Sequence, residues 1–573
     1  MRRASLSCLL HLQQHSFHSS SSPSRTYLLN CIRNLENVDS AFNFFHKMIA
    51  MKPFPNVKDF NLLFGFVAKT NHHATTISLT KHAHSSGLKL DVCTLNIIIN
   101  CLCHLNHTAF GFSVLGLMFK LGLEPTLVTL NTLVNGLCSQ GKVGHAIWLT
   151  EHMEKMGYQC NCRTFGAIIN GLCKIGDMGG AIECLKKMGE RNCEVNVVVY
   201  NTVMDGLCKD GLVSEALSLF SEMIVSKGIQ PSVVTYNCLI QGLCGFGRWK
   251  EGASLLSEMM QKGVMPDVQT FSILVDAFCK EGLVLGAKGV MSLMVQMGEE
   301  PNVVTYNSLI DGYCLRNQMD EAMKVFDLMV QRNCLPSIVT YNSLIHGWCE
   351  VMDVDKAICL LGEMVDKGLH PDVVTWSSLI GGFCEVGKPL AAKELFFTMN
   401  KYGQVPNLQT CAIILDGLFK CHLYSEAMSL FRAMEKSNLD LDIVMYNIML
   451  DGMCKAGKLN DARKLFSCLP AKGLKIDAYT CNIMIRGLSR EGLLDDAEGL
   501  LLKMEENGCP PNRCSYNVFV QGLLRNYDIS RSRKYLQIMK AKGFTVDATT
   551  TELLIFFFSP NKGDNAFKEL LQN

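Results

Sequence analysis

The chain has almost no surplus of charge. Among its 573 residues, 54 Lys and Arg stand against 53 Asp and Glu, a net charge of +1. That excludes a generic polyanion binder. Any nucleic-acid binding must rest on specific contacts, with bulk phosphate attraction a smaller term. Long apolar runs are missing too. Hydrophobic residues make up 48% of the chain, enough for an extensive interior, but they come in short pieces broken by Gly, Asn, Lys or Asp. None approaches the ~18–20 residues of a membrane span, so the sequence reads as a soluble protein. Although there are 27 cysteines, no Cys-x-x-Cys occurs. Two Cys-x-Cys pairs, Cys101/Cys103 and Cys160/Cys162, fall short of the four convergent ligands of structural zinc.

Acidic residues are absent before Glu36. Residues 1–26 carry three Arg and eight Ser, the composition of a disordered organelle transit peptide; a plain disordered tail is the competing reading. Leu9 and Leu10 run straight into His11, too short an apolar core for secretion. The early pair Arg2 and Arg3 favours a mitochondrion over a plastid.

What is present is a repeat. Val303–Ser337 reads VVTYNSLIDGYCLRNQMDEAMKVFDLMVQRNCLPS, and its framework returns in the next 35 residues. Fourteen complete repeats begin at Val57, Val92, Leu127, Cys162, Val197, Val233, Val268, Val303, Ile338, Val373, Leu408, Ile443, Ala478 and Arg513. Thirteen have 35 residues; that from Val197 has 36, with the extra one near Ile224–Lys227. Residues 27–56 look like a degenerate repeat with a weak first helix. Residues 548–573 look like a partial repeat that covers the open end.

Each repeat carries two apolar stripes at helical spacing. In the type repeat these are Tyr306, Leu309, Ile310 and Tyr313, then Ala322, Val325, Phe326 and Met329. Gly at position 10 in eleven repeats and Ala at position 20 in ten suit close helix approach. Met at position 27 in twelve repeats fills gaps between layers, and Cys at position 12 in ten behaves as a small buried hydrophobe, in keeping with a reducing compartment. Gly or Asn after the second helix serves as a left-handed cap, and a penultimate Pro stops further helix. One hairpin cannot bury its own apolar face, so neighbours must stack. The fold class is all-α, an α-solenoid of stacked helical hairpins.

The framework VVTYNxLIxGLCKxGxxxEAxxLFxxMxxxGxxPD resembles the pentatricopeptide repeat family, and the constant repeat length resembles its P subclass. The resemblance covers residues 57–547. It implies a right-handed superhelix without catalytic activity or cofactor. It implies binding of single-stranded organellar RNA, one base per repeat, 5′ to 3′ from the N terminus to the C terminus. Position 5 and the last residue of each repeat would read the base edge, and position 2 would pack on the base.

On that basis Asn61 with Asp91, Asn237 with Asp267, Asn342 with Asp372, Asn447 with Asp477 and Asn517 with Asp547 prefer U. Asn131 with Asn161 and Asn482 with Asn512 accept C or U. Asn201 with Ser232 and Asn307 with Ser337 lean to C, Ser272 with Asn302 and Ser377 with Asn407 choose A, and Asn96 with Thr126 takes a pyrimidine. Gly166 with Asn196 and Ala412 with Asp442 are unassigned. The implied target is U-Y-Y-N-C-U-A-C-U-A-N-U-Y-U. Val128, Val198, Val234, Val304, Val339, Val374 and Val444 would clamp bases; Lys58, Arg163, Gln269, Gln409 and Tyr479 depart from valine there. Protein processing factors are further implied partners, with a monomer on the RNA. Two bland readings stand beside this. Asn at position 5 can hydrogen-bond backbone near the helix start, and a helical-repeat groove can hold an extended peptide as a protein scaffold.

Two motifs are decoys. Gly136-x4-Gly141-Lys142 lacks the Ser or Thr of a phosphate loop, having Val143 instead. His152-x-Glu154 lacks the P-C-x-x-C partner of a zinc deaminase.

Overall fold

The computed structural model describes residues 25–558 apart from 36, 192, 438–440 and 507. The expected leader lies almost wholly outside these residues, as does the end of the last partial repeat. Helices Arg25–Arg33 and Val38–Ala50 come first, so the region read as having a weak first helix does carry one, of nine residues. From Val57–Lys69 and His73–Ser85 to Arg513–Arg525 and Ile529–Ala541 the chain is a series of helical hairpins, followed by Ala548–Phe558. The described residues form two compact halves, dividing between Ala277 and Phe278.

Local signals set the helix ends. The last residue of one repeat is the N-cap of the next first helix. The Asp372 carboxylate accepts the Thr375 amide at 3.0 Å, and the Thr375 hydroxyl accepts the Asp372 amide at 3.1 Å, a capping box. The second helix ends on a left-handed residue such as Gly368 (φ 77°) or Asn333 (φ 55°). In most repeats the N–H that closes this turn reaches back five residues, as Leu369 does to Met364. Ile229 reaches back six, to Met223. The extra residue of the 36-residue repeat is absorbed in that turn.

First helices pack side by side: Ile338–Glu350 on Val373–Glu385, and that on Leu408–Lys420. Second helices pack on the first helices of their own and the next repeat, as Met319–Gln331 does on Val303–Cys314 and Ile338–Glu350. Ala322, Ala357, Ala392 and Met329, Met364, Met399 are completely buried between them. The glycine at position 10 has a defined neighbour. A Cβ on Gly136 would lie 2.3 Å from Cys103 Sγ, and one on Gly382 2.6 Å from Cys349 Sγ. The thiol of one repeat fills a notch that the glycine of the next leaves open, which accounts for both recurrent residues at once. Gly141 (φ 71°) makes the left-handed turn out of the first helix, so the phosphate-loop lookalike is a packing notch followed by a turn. His152 stacks on Trp148 at 5.1 Å, and Glu154 pairs with Arg191.

Burial pushes the thiols of Cys103, Cys138 and Cys208 up to about 11 and those of Cys314, Cys349 and Cys384 to about 12. The thiolate is the reactive form. Of the described cysteines, exposed Cys93, Cys359, Cys468 and Cys514 are expected to react with a thiol reagent in the native protein. The notch thiols should react only as fast as the chain unfolds; rapid native labelling of Cys349 or Cys384 would contradict this packing.

Candidate nucleic-acid interface

Position 2 lies in the first turn of the first helix. The seven valines there are 55–64% exposed, apolar side chains left open where the helix has no covering neighbour. Position 5 follows one turn later, and the last residue caps the adjoining helix. In the second half a groove of about 900 Å³ gathers Val339, Asn342 and Asp372 of one repeat with Val374, Ser377 and Asn407 of the next.

Within this groove the polar side chains are joined. Asn342 Nδ2 donates to Asp372 at 3.1 Å, and Asn342 Oδ1 accepts the Thr375 hydroxyl at 2.6 Å. The same arrangement holds for Asn237, Asp267 and Thr270 (3.1 and 2.6 Å) and for Asn61, Asp91 and Thr94 (2.9 and 2.7 Å). Burial pushes the Asp372 carboxyl up, but the bonds it accepts, led by the Thr375 and Asn342 amides, outweigh it and hold the group below the ordinary carboxylate value. Asp91 and Asp267 behave alike. What such a pair has left to offer is one amide N–H beside one carboxylate oxygen.

A serine at position 5 inverts the pattern. Asn407 Oδ1 accepts both the amide (2.8 Å) and the hydroxyl (2.9 Å) of Thr410, and the Thr410 oxygen lies 2.8 Å from Ser377 Oγ. Either hydroxyl can donate in that contact; when the threonine proton goes to Asn407, Ser377 donates to Thr410. In that arrangement Ser377 keeps its lone pairs free, and Asn407 keeps both N–H groups. Asn131 donates to Asn161 Oδ1 at 3.4 Å and accepts from Thr164 at 2.8 Å, leaving N–H donors only. Asn307 accepts the Thr340 hydroxyl at 2.7 Å, which leaves its N–H groups free next to the neutral Ser337.

Other candidates are placed differently. The side-chain oxygens of Asn96, Asn201, Asn447 and Asn482 have no hydrogen-bond partner, and the bond to the last residue is not formed there. Ser272 donates to the Val268 carbonyl at 2.7 Å. Asn517, paired in sequence with Asp547, is spent: Nδ2 donates to the carbonyls of Arg513 (2.9 Å) and Thr545 (3.2 Å), and Oδ1 accepts the Asp547 amide (3.0 Å) and Thr550 hydroxyl (2.8 Å). Gln521 takes the Asp547 carboxylate instead, at 3.1 Å. Here the backbone-bonding reading of position 5 applies.

The family model described as "PPR repeat family" matches residues 90–139, 125–174, 195–245, 231–280, 301–350, 336–385, 371–420, 441–490 and 480–525, and a "PPR repeat" model matches 163–193, 269–299 and 410–439. The chain belongs to the PPR repeat family. Two mitochondrial pentatricopeptide repeat-containing proteins of Arabidopsis thaliana are 38% identical over 64 residues and 37% identical over 84. These stretches are 11% and 15% of this chain and span only 12% and 16% of the relatives' own length. The crystal structure of the pentatricopeptide repeat protein PPR10 from maize has the same fold, with a TM-score of 0.56 at 20% identity, covering 93% of this chain and 86% of that one.

In this PPR chain the threonine at position 3 was not singled out from sequence. It is fully buried in repeat after repeat, as Thr94, Thr164, Thr270, Thr340 and Thr375 show, and it joins one repeat to the one before. Its recurrence just ahead of the aromatic residue was the available signal. Among the described residues no group of His, Cys, Asp and Glu is arranged to hold a metal ion, and no helix is long and apolar enough to cross a membrane.

Proposed function

We propose that the chain binds single-stranded RNA in a sequence-specific manner, one nucleotide per repeat, with position 5 and the last residue of a repeat facing the base edge. The observation that carries this is the joined Asn342–Asp372 pair next to the inverted Ser377–Asn407 pair in one groove, beneath exposed Val339 and Val374. An N–H beside a carboxylate complements uracil, which offers a carbonyl oxygen beside N3–H. Free serine lone pairs beside an amide N–H complement adenine, which offers its amino group beside the N1 acceptor. Neutral Ser337 in place of a carboxylate removes the repulsion that the N3 lone pair of cytosine would meet. Bases read on their Watson–Crick edges in this way are the usual targets of single-strand recognition. Because Asn517 has no polar capacity left, the last nucleotide becomes unassigned and the target reads U-Y-Y-N-C-U-A-C-U-A-N-U-Y-N.

Binding of this 14-mer by the full chain, measured against a scrambled 14-mer of the same composition, tests the proposal. The target is expected to bind at least tenfold more tightly; equal affinity would overturn base reading. We also infer action in the mitochondrion, supported by the names of the Arabidopsis relatives and by the leader composition. A reporter fused to residues 1–40 is expected in mitochondria, and a plastid or cytosolic signal would refute this. Occupying a strand in this manner serves RNA processing, stability or translation without a chemical step.

A further inference from the structure

We propose that, where it bonds the side chain at position 5, the threonine at position 3 is the third member of the base-reading site, a positioning residue supplied by the following repeat. The inference rests on the RNA reading above. The hydroxyl is held on both sides. Thr375 Oγ1 accepts the Asp372 amide at 3.1 Å, and of the two acceptors in reach of its single proton, Asn342 Oδ1 at 2.6 Å is nearer than the Asp372 carboxylate at 3.0 Å. That fixes which way the Asn342 amide faces, hence where the donor points. The same bond is closed from Thr94 to Asn61, Thr164 to Asn131, Thr270 to Asn237 and Thr340 to Asn307, at 2.6–2.8 Å. A bond of this kind is directional, and a buried polar group without a partner is costly, so a hydroxyl here is matched to a polar side chain at position 5.

The chain's own variation follows that rule. Twelve repeats with Asn or Ser at position 5 are each followed by Thr or Ser at position 3 of the next. The two repeats without such a side chain, at Gly166 and Ala412, are followed by Val199 and Met445. A helix cap alone does not account for this: Asn196 and Asp442 still cap their helices by accepting the amides of Val199 and Met445 at 3.1 Å. The unit of specificity therefore runs from position 5 of one repeat to position 3 of the next, as in 342–375, and is offset from the 35-residue structural repeat.

The experiment uses the full chain and 14-mers varied at single nucleotides. Thr375→Val is expected to lower the preference for U at nucleotide 9 about tenfold, the scale of one good base-edge contact, with preferences at nucleotides 6 and 8 unchanged; Thr375→Ser should restore it. The converse test builds a site. Nucleotide 11 is unread beside Ala412 although Asp442 is present. Ala412→Asn with Met445→Thr should create a U preference there, and Ala412→Asn alone should not. If Thr375→Val keeps its U preference, if all positions weaken together, or if Ala412→Asn alone suffices, the threonine role is overturned while RNA reading stands. If the unsubstituted chain shows no preference at any nucleotide, the RNA reading itself has failed. A side-chain amide NMR signal of Asn342 that shifts in free Thr375→Val but not in Thr410→Val would still establish the positioning bond, and no shift would refute it.

Discussion

Replacing Asn342 by serine together with Asp372 by asparagine is expected to turn the ninth nucleotide of the preferred RNA from U to A. The two pairs to be exchanged lie side by side in one groove, so the template for the new pair is the adjacent Ser377–Asn407. Thr375 stands to the first pair as Thr410 stands to the second, so the hydroxyl needed for either pattern is already in place. Each correct base-edge pairing is worth about 1–3 kcal/mol of discrimination, and tenfold in affinity corresponds to about 1.4 kcal/mol. Losing one pairing and gaining the other therefore reverses the U:A ratio by roughly a hundredfold. The single change Asn342→Ser leaves serine lone pairs beside a carboxylate, a site with acceptors only, and should weaken binding to both bases. Stability should hardly move in the double variant, because Asp and Asn are comparable N-caps. Four 14-mers differing only at nucleotide 9 suffice for the measurement. A chain that still prefers U after both changes would sink the assignment of these positions.

How much of this was legible before the structure differs from one residue to the next. The hairpins were, because Tyr306, Leu309 and Ile310 or Ala322, Phe326 and Met329 report helical burial by spacing alone, and fourteen repetitions leave little room for another period. The cysteines were legible as buried but not as partners of glycine. The contact of Gly382 with Cys349 joins positions 33 residues apart whose complementarity is of volume, which no local pattern displays. Least legible was which candidate readers have capacity to read. Asn342 and Asn517 are the same residue at the same repeat position, each in a repeat that ends in Asp. Yet Gln521 captures Asp547, and Asn517 turns onto backbone carbonyls. At the corresponding place in the Ile338 repeat His346 makes no such capture, its ring lying 4.0 Å from Glu350, and Asn342 pairs with Asp372. The distinction lies in a competition for one carboxylate, and only side-chain geometry settles it.

The notch that holds the stack together supplies the second large effect. A methyl group on Gly487 would sit 2.4 Å from Cys454 Sγ and 2.9 Å from its Cβ, well inside contact distance. Gly487→Ala should gain about 0.5–1 kcal/mol from helix propensity yet cost about 1–3 kcal/mol in overpacking, because helices Ile443–Lys455 and Ala478–Arg490 must separate to admit it. Net destabilisation is the expected sign. Cys454→Ala alone leaves a small void in place of a buried sulfur, at about 1 kcal/mol. Combined, the two changes remove the sulfur contact, leaving the 2.9 Å approach to the Cβ of residue 454, which a smaller separation of the two helices relieves. The double variant should therefore be more stable than the sum of the singles by about 1–2 kcal/mol, a coupling of the size seen between residues in direct contact. Repeats touch only their neighbours, so the damage from Gly487→Ala should be local. Hydrogen-exchange protection should fall first in those two helices and persist in Val303–Cys314 and Ile338–Glu350. Additive singles, or protection lost uniformly along the chain, would show that the glycine–cysteine contact does not set the spacing of the first helices, and with it the spacing of the base-reading positions they carry.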